Sequence, residues 1–250
     1  MLLQKAHDQF SLRALGRVTE ELCEGLKVEL LDLRAVENSW VSVKLRGEDE
    51  DVAVRFLARI VGLAPVDSGR VEPFSVLQGK TMFSQRDRLG LFVDVGVFSP
   101  EKSTAFIPLH RLQAQLTDGR KIPLQKIAEL FALVNDFPLE VRIVGFEANK
   151  FETELTEAQL GLYSRWIGSR VDHLVVLGAL RKDVERAAKS RMLRRDVVGS
   201  ESLGIFEHAV ICKLGTDAAG LVPRLSRELP RADFERFSPR QVLRLLKGRW

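Results

Sequence analysis

Apolar residues recur at helical spacing over 11–24, where Leu12, Leu15, Val18 and Leu22 share a face behind Ser11 as N-cap and ahead of Gly25, the start and stop signals of an amphipathic helix. Alternation follows. Lys27 to Arg34 and the run Val41, Val43, Leu45, with Ser42 and Lys44 between, predict two strands joined at Glu37-Asn38-Ser39. A second helix opens at Glu48-Asp49-Glu50-Asp51, carboxylates suited to the positive end of a helix dipole. Val52, Phe56 and Ile60, at intervals of four, are its expected buried side. With Leu2-Leu3 and Leu63 to Val66 as edge strands the order is βαββαβ, the split-βαβ, ferredoxin-like unit. Trp40, in the opposite phase to Val41, is expected to stand exposed on the other face of the sheet.

Pro65, Asp67, Ser68, Gly69 and Pro73 mark a boundary, after which period-two patterns dominate. Phe74 to Phe83, Leu89 to Val97 and Ser103 to Pro108 predict three strands, with Ser99-Pro100-Glu101-Lys102 as the turn between the last two. A helix follows Pro123 with Leu124, Ile127, Leu130, Phe131 and Val134 inward, and Asn135-Asp136 ends it before strands at Leu139 to Phe146 and Phe151 to Leu155. Five short strands with a helix between the third and fourth describe an OB barrel. Residues 156–168 predict a further helix whose Leu160, Tyr163, Trp166 and Ile167 pack the barrel against what comes next.

The first pattern then returns. A strand at Leu174 to Leu177, a helix from Lys182 to Met192 with Val184, Ala187, Ala188 and Met192 inward, strands at Arg195 to Leu203 and Glu207 to Leu214, a short helix and a last strand reproduce the opening order. At a constant offset of 169, Val41, Val43, Leu45, Val52, Phe56 and Ile60 fall on Val210, Cys212, Leu214, Leu221, Leu225 and Leu229. Pro223 requires the final helix to be short and to begin beside it. A rival alignment, Leu203-Gly204-Ile205-Phe206 with Leu89-Gly90-Leu91-Phe92, makes this region a degenerate second barrel. The expected class is α+β with an all-β OB barrel, in three domains: a ferredoxin-like module at 1–69, the barrel with its trailing helix at 70–168, and a basic ferredoxin-like module at 169–250.

Composition excludes several classes. Of the 250 residues 45% are hydrophobic and 29% charged, ordinary for a soluble globular protein, and no apolar run approaches the roughly 20 residues that span a bilayer. Cys23 and Cys212 lie far apart with no C-x-x-C spacing, so they read as core hydrophobes in a reducing, cytoplasmic setting. The net charge of +4 is uneven: residues 170–250 carry 17 basic against 10 acidic side chains.

Leu89-Gly90-Leu91-Phe92-Val93-Asp94-Val95-Gly96, followed by Ala105-Phe106-Ile107-Pro108-Leu109-His110-Arg111-Leu112, resembles the second and third strands of the S-one-type RNA-binding OB domain. That family places an aromatic before the first Gly, another after it and a His on the third strand. Here Phe92 matches the second aromatic, while Leu89 and Pro108 stand in the other two places. The resemblance implies single-stranded or structured RNA as ligand. Over most of its length, particularly Ile107 to Val144 and Leu203 to Leu229, the chain looks like an archaeal family that carries a domain-of-unknown-function label, which implies an archaeal cytoplasmic protein and no activity.

No reaction is legible. His7, His110, His173 and His208 sit in separate segments away from any metal or triad spacing, His208 being expected as a hydrogen-bonded core residue and His110 as a rim residue. Gly90 and Gly96 are too far apart for a dinucleotide fingerprint. Glu152 and Glu154 alternate with Phe151, Thr153 and Leu155 as on a half-solvated strand. The strongest signal is the run from Arg181 to Arg195, with seven basic and two acidic residues. Arg181, Lys182, Arg186, Lys189, Arg194 and Arg195 are expected to contact RNA phosphates from this run. Around Phe92 the barrel adds Arg86, Arg88, Arg111, Arg120 and Lys121 on loops or strand ends. Arg240, Arg244, Lys247 and Arg249 form a second basic cluster on a short helix beginning at Pro239. The expected function is RNA binding without catalysis or cofactor, associated with translation or RNA processing as a component near ribosome or polymerase, and with no membrane partner. The alternative is a protein-interaction scaffold for an acidic partner, which an exposed Trp40 would favour.

Overall fold

The computed structural model describes residues 1–147 and 150–247, so Arg249 lies outside the described residues. Contacts divide the chain into one unit of Met1–Val71 with Gly96–Lys102 and another of Glu72–Val95 with Ser103–Trp250.

In the first unit β1 (Leu2–Lys5), α1 (Gln9–Leu22), β2 (Val28–Ala35), β3 (Trp40–Gly47), α2 (Glu50–Ile60) and β4 (Val66–Asp67) follow in order. The sheet order is β1-β3-β2 with antiparallel neighbours, and Leu63 bridges Leu2 on the outer side of β1. Asp8 caps α1 by accepting from Ser11 N at 2.6 Å, three residues earlier than the expected Ser11 cap. β4 runs parallel to the 97–99 segment, Val66 opposite Val97.

Three expectations fail in this unit. The Leu63 to Val66 segment is not a fourth strand of the sheet: Leu63 makes a single bridge to Leu2, and Val66–Asp67 pairs with the 97–99 segment instead. Trp40 is fully buried, packed with Leu3 and Ala64 against Met1, Val36 and Phe98, because Gly96 at φ +71 brings the chain close over it: a Cβ there would meet Ala64 Cβ at 2.6 Å. Val52, Phe56 and Ile60 are not the inward side of α2. They are exposed, and Ala53 and Leu57, one residue further along, are buried instead. The helix is rotated by one position from the expected phase because small Ala53 lets it lie close on the sheet.

The second unit begins with a closed five-stranded barrel: β5 (Val76–Met82), β6 (Gly90–Ser99), β7 (Ser103–Pro108), β8 (Pro138–Glu147) and β9 (Lys150–Leu155). Around it the order is β6-β5-β8-β9-β7 and back to β6; β7 and β9 are parallel, and β5 is antiparallel to β6 and β8, as β8 is to β9. Leu91, Val93, Val95, Ala105, Ile107, Val141 and Ile143 fill the interior. At Gly90 an added Cβ would meet Ile107 O at 2.3 Å, so close passage of β6 over β7 requires glycine there. Between β7 and β8 stand two helices where one was expected, α3 (Leu109–Leu116) and α4 (Leu124–Phe131). Arg111 therefore sits on a helix and not at a strand end.

α5 (Glu157–Ser169), capped by Thr156 accepting from Gln159 N, leads into the final module. There β10 (His173–Leu177), α6 (Arg181–Ala188), β11 (Val197–Ser202), β12 (Glu207–Cys212), α7 (Val222–Glu228), β13 (Asp233–Phe237) and α8 (Pro239–Lys247) follow. The open sheet has the order β11-β12-β10-β13, with every neighbour antiparallel. An open sheet of this order is not a second barrel. Pro223 lies in the first turn of α7, where its missing N–H costs nothing. α6 stops at Ala188, short of the expected Met192, which is exposed.

This module is seated on the barrel by an aromatic seam and a buried ion pair. Phe131 of α4 meets Tyr163 of α5 edge-on at 5.2 Å, Tyr163 stacks on Phe237 of β13 at 6.1 Å, and Trp166 lies 4.9 Å from His173 and 5.0 Å from Phe237. The Trp166 indole donates to Glu201. Lys80 Nζ of β5 and Glu207 Oε1 of β12 are 2.8 Å apart, both side chains under a tenth exposed. Breaking such a pair strands a charge in a low dielectric, so Lys80→Met or Glu207→Leu alone is expected to cost about 3 to 5 kcal/mol in urea unfolding. The double variant K80M/E207L is expected to cost clearly less than the two summed; strict additivity would mean that the groups do not compensate each other.

His173 and His208 are both buried, and burial holds their pKa below the ordinary 6.5. The unfolded chain therefore takes up protons first on acidification. The stability these neutral imidazoles contribute is intact above pH 6.5 and is lost as pH falls from there through their folded values. The urea midpoint is expected to decline below that pH, less steeply in His208→Gln; a flat profile would contradict it.

Candidate nucleic-acid interface

The basic run on and after α6 is only partly available to a ligand. Arg181 Nε donates to Glu185 Oε1 at 2.7 Å and Arg186 Nη2 to Asp183 Oδ1 at 2.7 Å, one helical turn away in each case. The Glu185 carboxyl is held below its usual pKa by its hydrogen bond from Arg181. Lys182, Lys189, Arg194 and Arg195 are exposed, the last three beyond the helix in turns, where Lys213 Nζ donates to Arg194 O at 3.2 Å. Paired exposed arginines still carry charge, but the neighbouring acid offsets much of their local field.

On the barrel, Phe92 is half-buried and lies 4.8 Å from Phe106, rings tilted by 43°. Lys150 Nζ stands 5.5 Å over the Phe106 ring. Phe106 was not among the sequence-predicted contacts, although its alternation with buried Ala105 and Ile107 points it outward. Arg86 and Arg88 are exposed on the 83–89 loop, whose backbone is held by Gln125 Nε2 donating to Gln85 O at 3.1 Å and Asp87 O at 2.7 Å. Arg111 is spent locally: it donates to Glu152 Oε1 from Nε and Nη2 at 3.1 and 3.0 Å, and Nη1 lies 3.5 Å from Glu154 Oε2. Arg120 is also committed, its Nη2 donating to Leu246 O at 2.6 Å, which places the 120–121 turn at the C-terminal end of α8. Lys121 beside it is exposed.

The strongest assembly of cations is one that no single segment announces. Arg170, in the left-handed C-cap of α5 at φ 59, joins Arg240, Arg244 and Lys247 of α8 around a groove of about 740 Å³, walled by Leu214, Pro239 and Leu243. α8 turns Val242 and Leu245 inward and packs on α5 and α4, so its cations, four and three residues apart, share the outer face. Among the described residues none of these four cations is paired with a carboxylate. The tail cluster was legible as charge, but Arg170 lies 70 residues before Arg240 and only the packing of α5 on α8 unites them.

The buried polar groups elsewhere serve the fold. His208 Nε2 donates to Ala179 O at 3.0 Å, so its Nδ1 accepts from the Ser202 hydroxyl at 3.2 Å. Burial and the nearby Asp172, Asp217 and Asp196 push the Cys212 thiol up to about 12, which leaves it unreactive.

The fold and site thus define a barrel protein with an appended four-stranded α+β module and a cationic groove between the trailing helix of the barrel and the last helix of the module. Residues 76–167 match the central domain of DUF2110 and residues 171–235 its C-terminal domain, and the chain belongs to the DUF2110 family. None of the curated proteins compared with it matches. Among solved structures it is similar to the crystal structure of the K3L protein from vaccinia virus (Wisconsin strain), at 10% identity over 34% of this chain and 88% of that one, with a TM-score of 0.23.

Arg120 holds the last turn of α8, whose carbonyls have no partner within the helix. Arg120→Ala is expected to speed amide exchange across residues 240–247 while leaving β5 to β9 protected; unchanged exchange would mean that α8 is held by its apolar face alone.

Proposed function

We propose that this protein binds RNA without catalysing a reaction, gripping the phosphate backbone along the groove of Arg170, Arg240, Arg244 and Lys247. The observation that carries the reading is four cations, unpaired among the described residues, facing one concave surface, an arrangement that releases counterions from a polyanion whatever its sequence. The exposed Lys182, Lys189, Arg194, Arg195, Arg86, Arg88 and Lys121 extend the positive field, and Phe92 with Phe106 offers an aromatic surface for a base. We read the barrel as an S-one-like OB domain, since its strand order and inserted helices fit that topology, and the modules on either side as ferredoxin-like, from their βαββαβ order. The same reading makes the chain a cytoplasmic archaeal protein working in translation or RNA processing. A scaffold role is the alternative, favoured by the apolar face that α2 exposes.

Fluorescence anisotropy with a single-stranded and a hairpin RNA over a salt series tests the proposal. The groove variant R240E/R244E/K247E is expected to weaken binding and to flatten the salt slope by about 0.7 for each phosphate no longer neutralised, about 2 in all. The parallel variant R186E/K189E/R194E is expected to lose less, and Arg111→Gln nothing. Equal loss from both triple variants would move the interface to a wider surface, and no binding by the unaltered chain at low salt would end the RNA reading.

A further inference from the structure

The cations of the groove stand on two different supports. Arg170 is fixed in the C-cap of α5, while Arg240, Arg244 and Lys247 ride on α8, a helix of nine residues, fewer than the roughly 12 to 15 that an isolated helix needs to persist in water. Its start is anchored. Pro239 and Val242 are buried, and Val242 N donates to Ser238 O at 3.2 Å. Its last turn carries Arg244 and Lys247, beyond or beside Leu245, the last buried side chain of the helix. The carbonyls of that turn have no partner within the helix.

That turn is met from the barrel. Arg120, between α3 and α4 and 126 residues earlier in the chain, donates from Nη2 to Leu246 O at 2.6 Å, a cation at the negative end of the helix dipole. The segment that carries Arg120 is itself braced. Asp118 and Gly119 reverse the chain at φ 51 and 75. Gly119 N donates to Gln113 O at 2.9 Å and Gln113 Nε2 to Ile122 O at 2.9 Å, so one α3 side chain and its own carbonyl tie down both ends of the turn. The hydroxyl of buried Thr117, 2.9 Å from Gln113 O and 3.1 Å from Arg120 O, donates across it. A braced turn that spends its arginine on the carbonyl of another element fixes that element in place.

We infer that Arg120 is a positioning residue of the groove: without touching RNA, it holds the last turn of α8 so that Arg244 and Lys247 share one face with Arg240 before the ligand arrives. The inference rests on the RNA reading and adds that the barrel sets the affinity of the groove. Released, the last turn frays, and the same phosphate contacts are made only after it has been ordered again. Binding then weakens with no change in the number of phosphates neutralised. Removing a phosphate contact lowers that number instead.

Anisotropy titrations of the full chain with a single-stranded RNA over a salt series separate the two roles. Arg120→Ala is expected to bind about three- to tenfold more weakly at every salt concentration, its plot of log K against log salt parallel to that of the unaltered chain. Arg244→Ala is expected to lose about 0.7 of slope. Hydrogen exchange supplies a second readout: saturating RNA is expected to slow residues 244–247 again in Arg120→Ala, and Lys121→Ala, which removes the same charge one residue away, to leave their exchange unchanged. Thr117→Val, which loosens the turn and keeps the guanidinium, is expected to shift the plot in the same direction by a smaller amount. A flattened slope in Arg120→Ala makes the residue a phosphate contact and overturns the inference. A urea midpoint that falls together with the affinity makes it a residue of the fold at large and overturns it too. If the unaltered chain binds no RNA, the inference falls with the reading beneath it; if that chain binds and Arg120→Ala binds equally well, the inference falls alone.

Discussion

The buried contact between Lys80 and Glu207 is the interaction on which the second unit depends. One charge stands on a barrel strand and the other on a central strand of the following sheet, 127 residues later in the chain. Neither has water to fall back on, so each holds the other in place and the two sheets acquire one register. The aromatic seam of Phe131, Tyr163, Trp166 and Phe237 then excludes water around the joint. Trp166 and His173 pass that packing into β10, and Phe237 passes it to the start of α8. The cationic groove exists because this joint sets α8 against the end of α5.

Charge in this chain divides into what is spent and what is left over. Arg111 is held by Glu152 and Glu154, Arg181 by Glu185, Arg186 by Asp183 and Arg224 by Asp196. Arg120 is turned toward a helix carbonyl. A count of basic residues weights all of these equally with Arg240 or Lys247, yet a long-range field at physiological salt is governed by the unpaired ones. What sets the groove on α8 apart from the denser run on α6 is that its cations line one concave surface, while two arginines of the run are held by acids one turn away.

The two βαββαβ modules show how one hydrophobic spacing reaches two outcomes. In the final module Leu221, Leu225 and Leu229 close over Leu174, Val176 and Val210 as a conventional core. In the first, Ala53 and Leu57 sit on the sheet and the larger residues beside them are turned out. Both arrangements satisfy a period of four, since adjacent rows of an α-helix share that spacing. Which row faces inward is decided by the depth of space between helix and sheet.

The order of elements, the barrel with its insertion and the short helix at Pro223 were legible along the chain, because helical and strand periodicity are local and proline and glycine punctuate them. The site was legible only in part. Arg240, Arg244 and Lys247 announced themselves as a charged helix face, while the addition of Arg170, the pairing of Phe106 with Phe92 and the commitment of Arg111 and Arg120 to partners tens of residues distant did not. The sequence by itself determined which segments become helices and strands and where charge is in excess. Only tertiary packing decided that Trp40 is buried, that Phe56 is exposed and that four cations from two helices line one groove, because burial and grouping of charge are set by neighbours brought together from far along the chain.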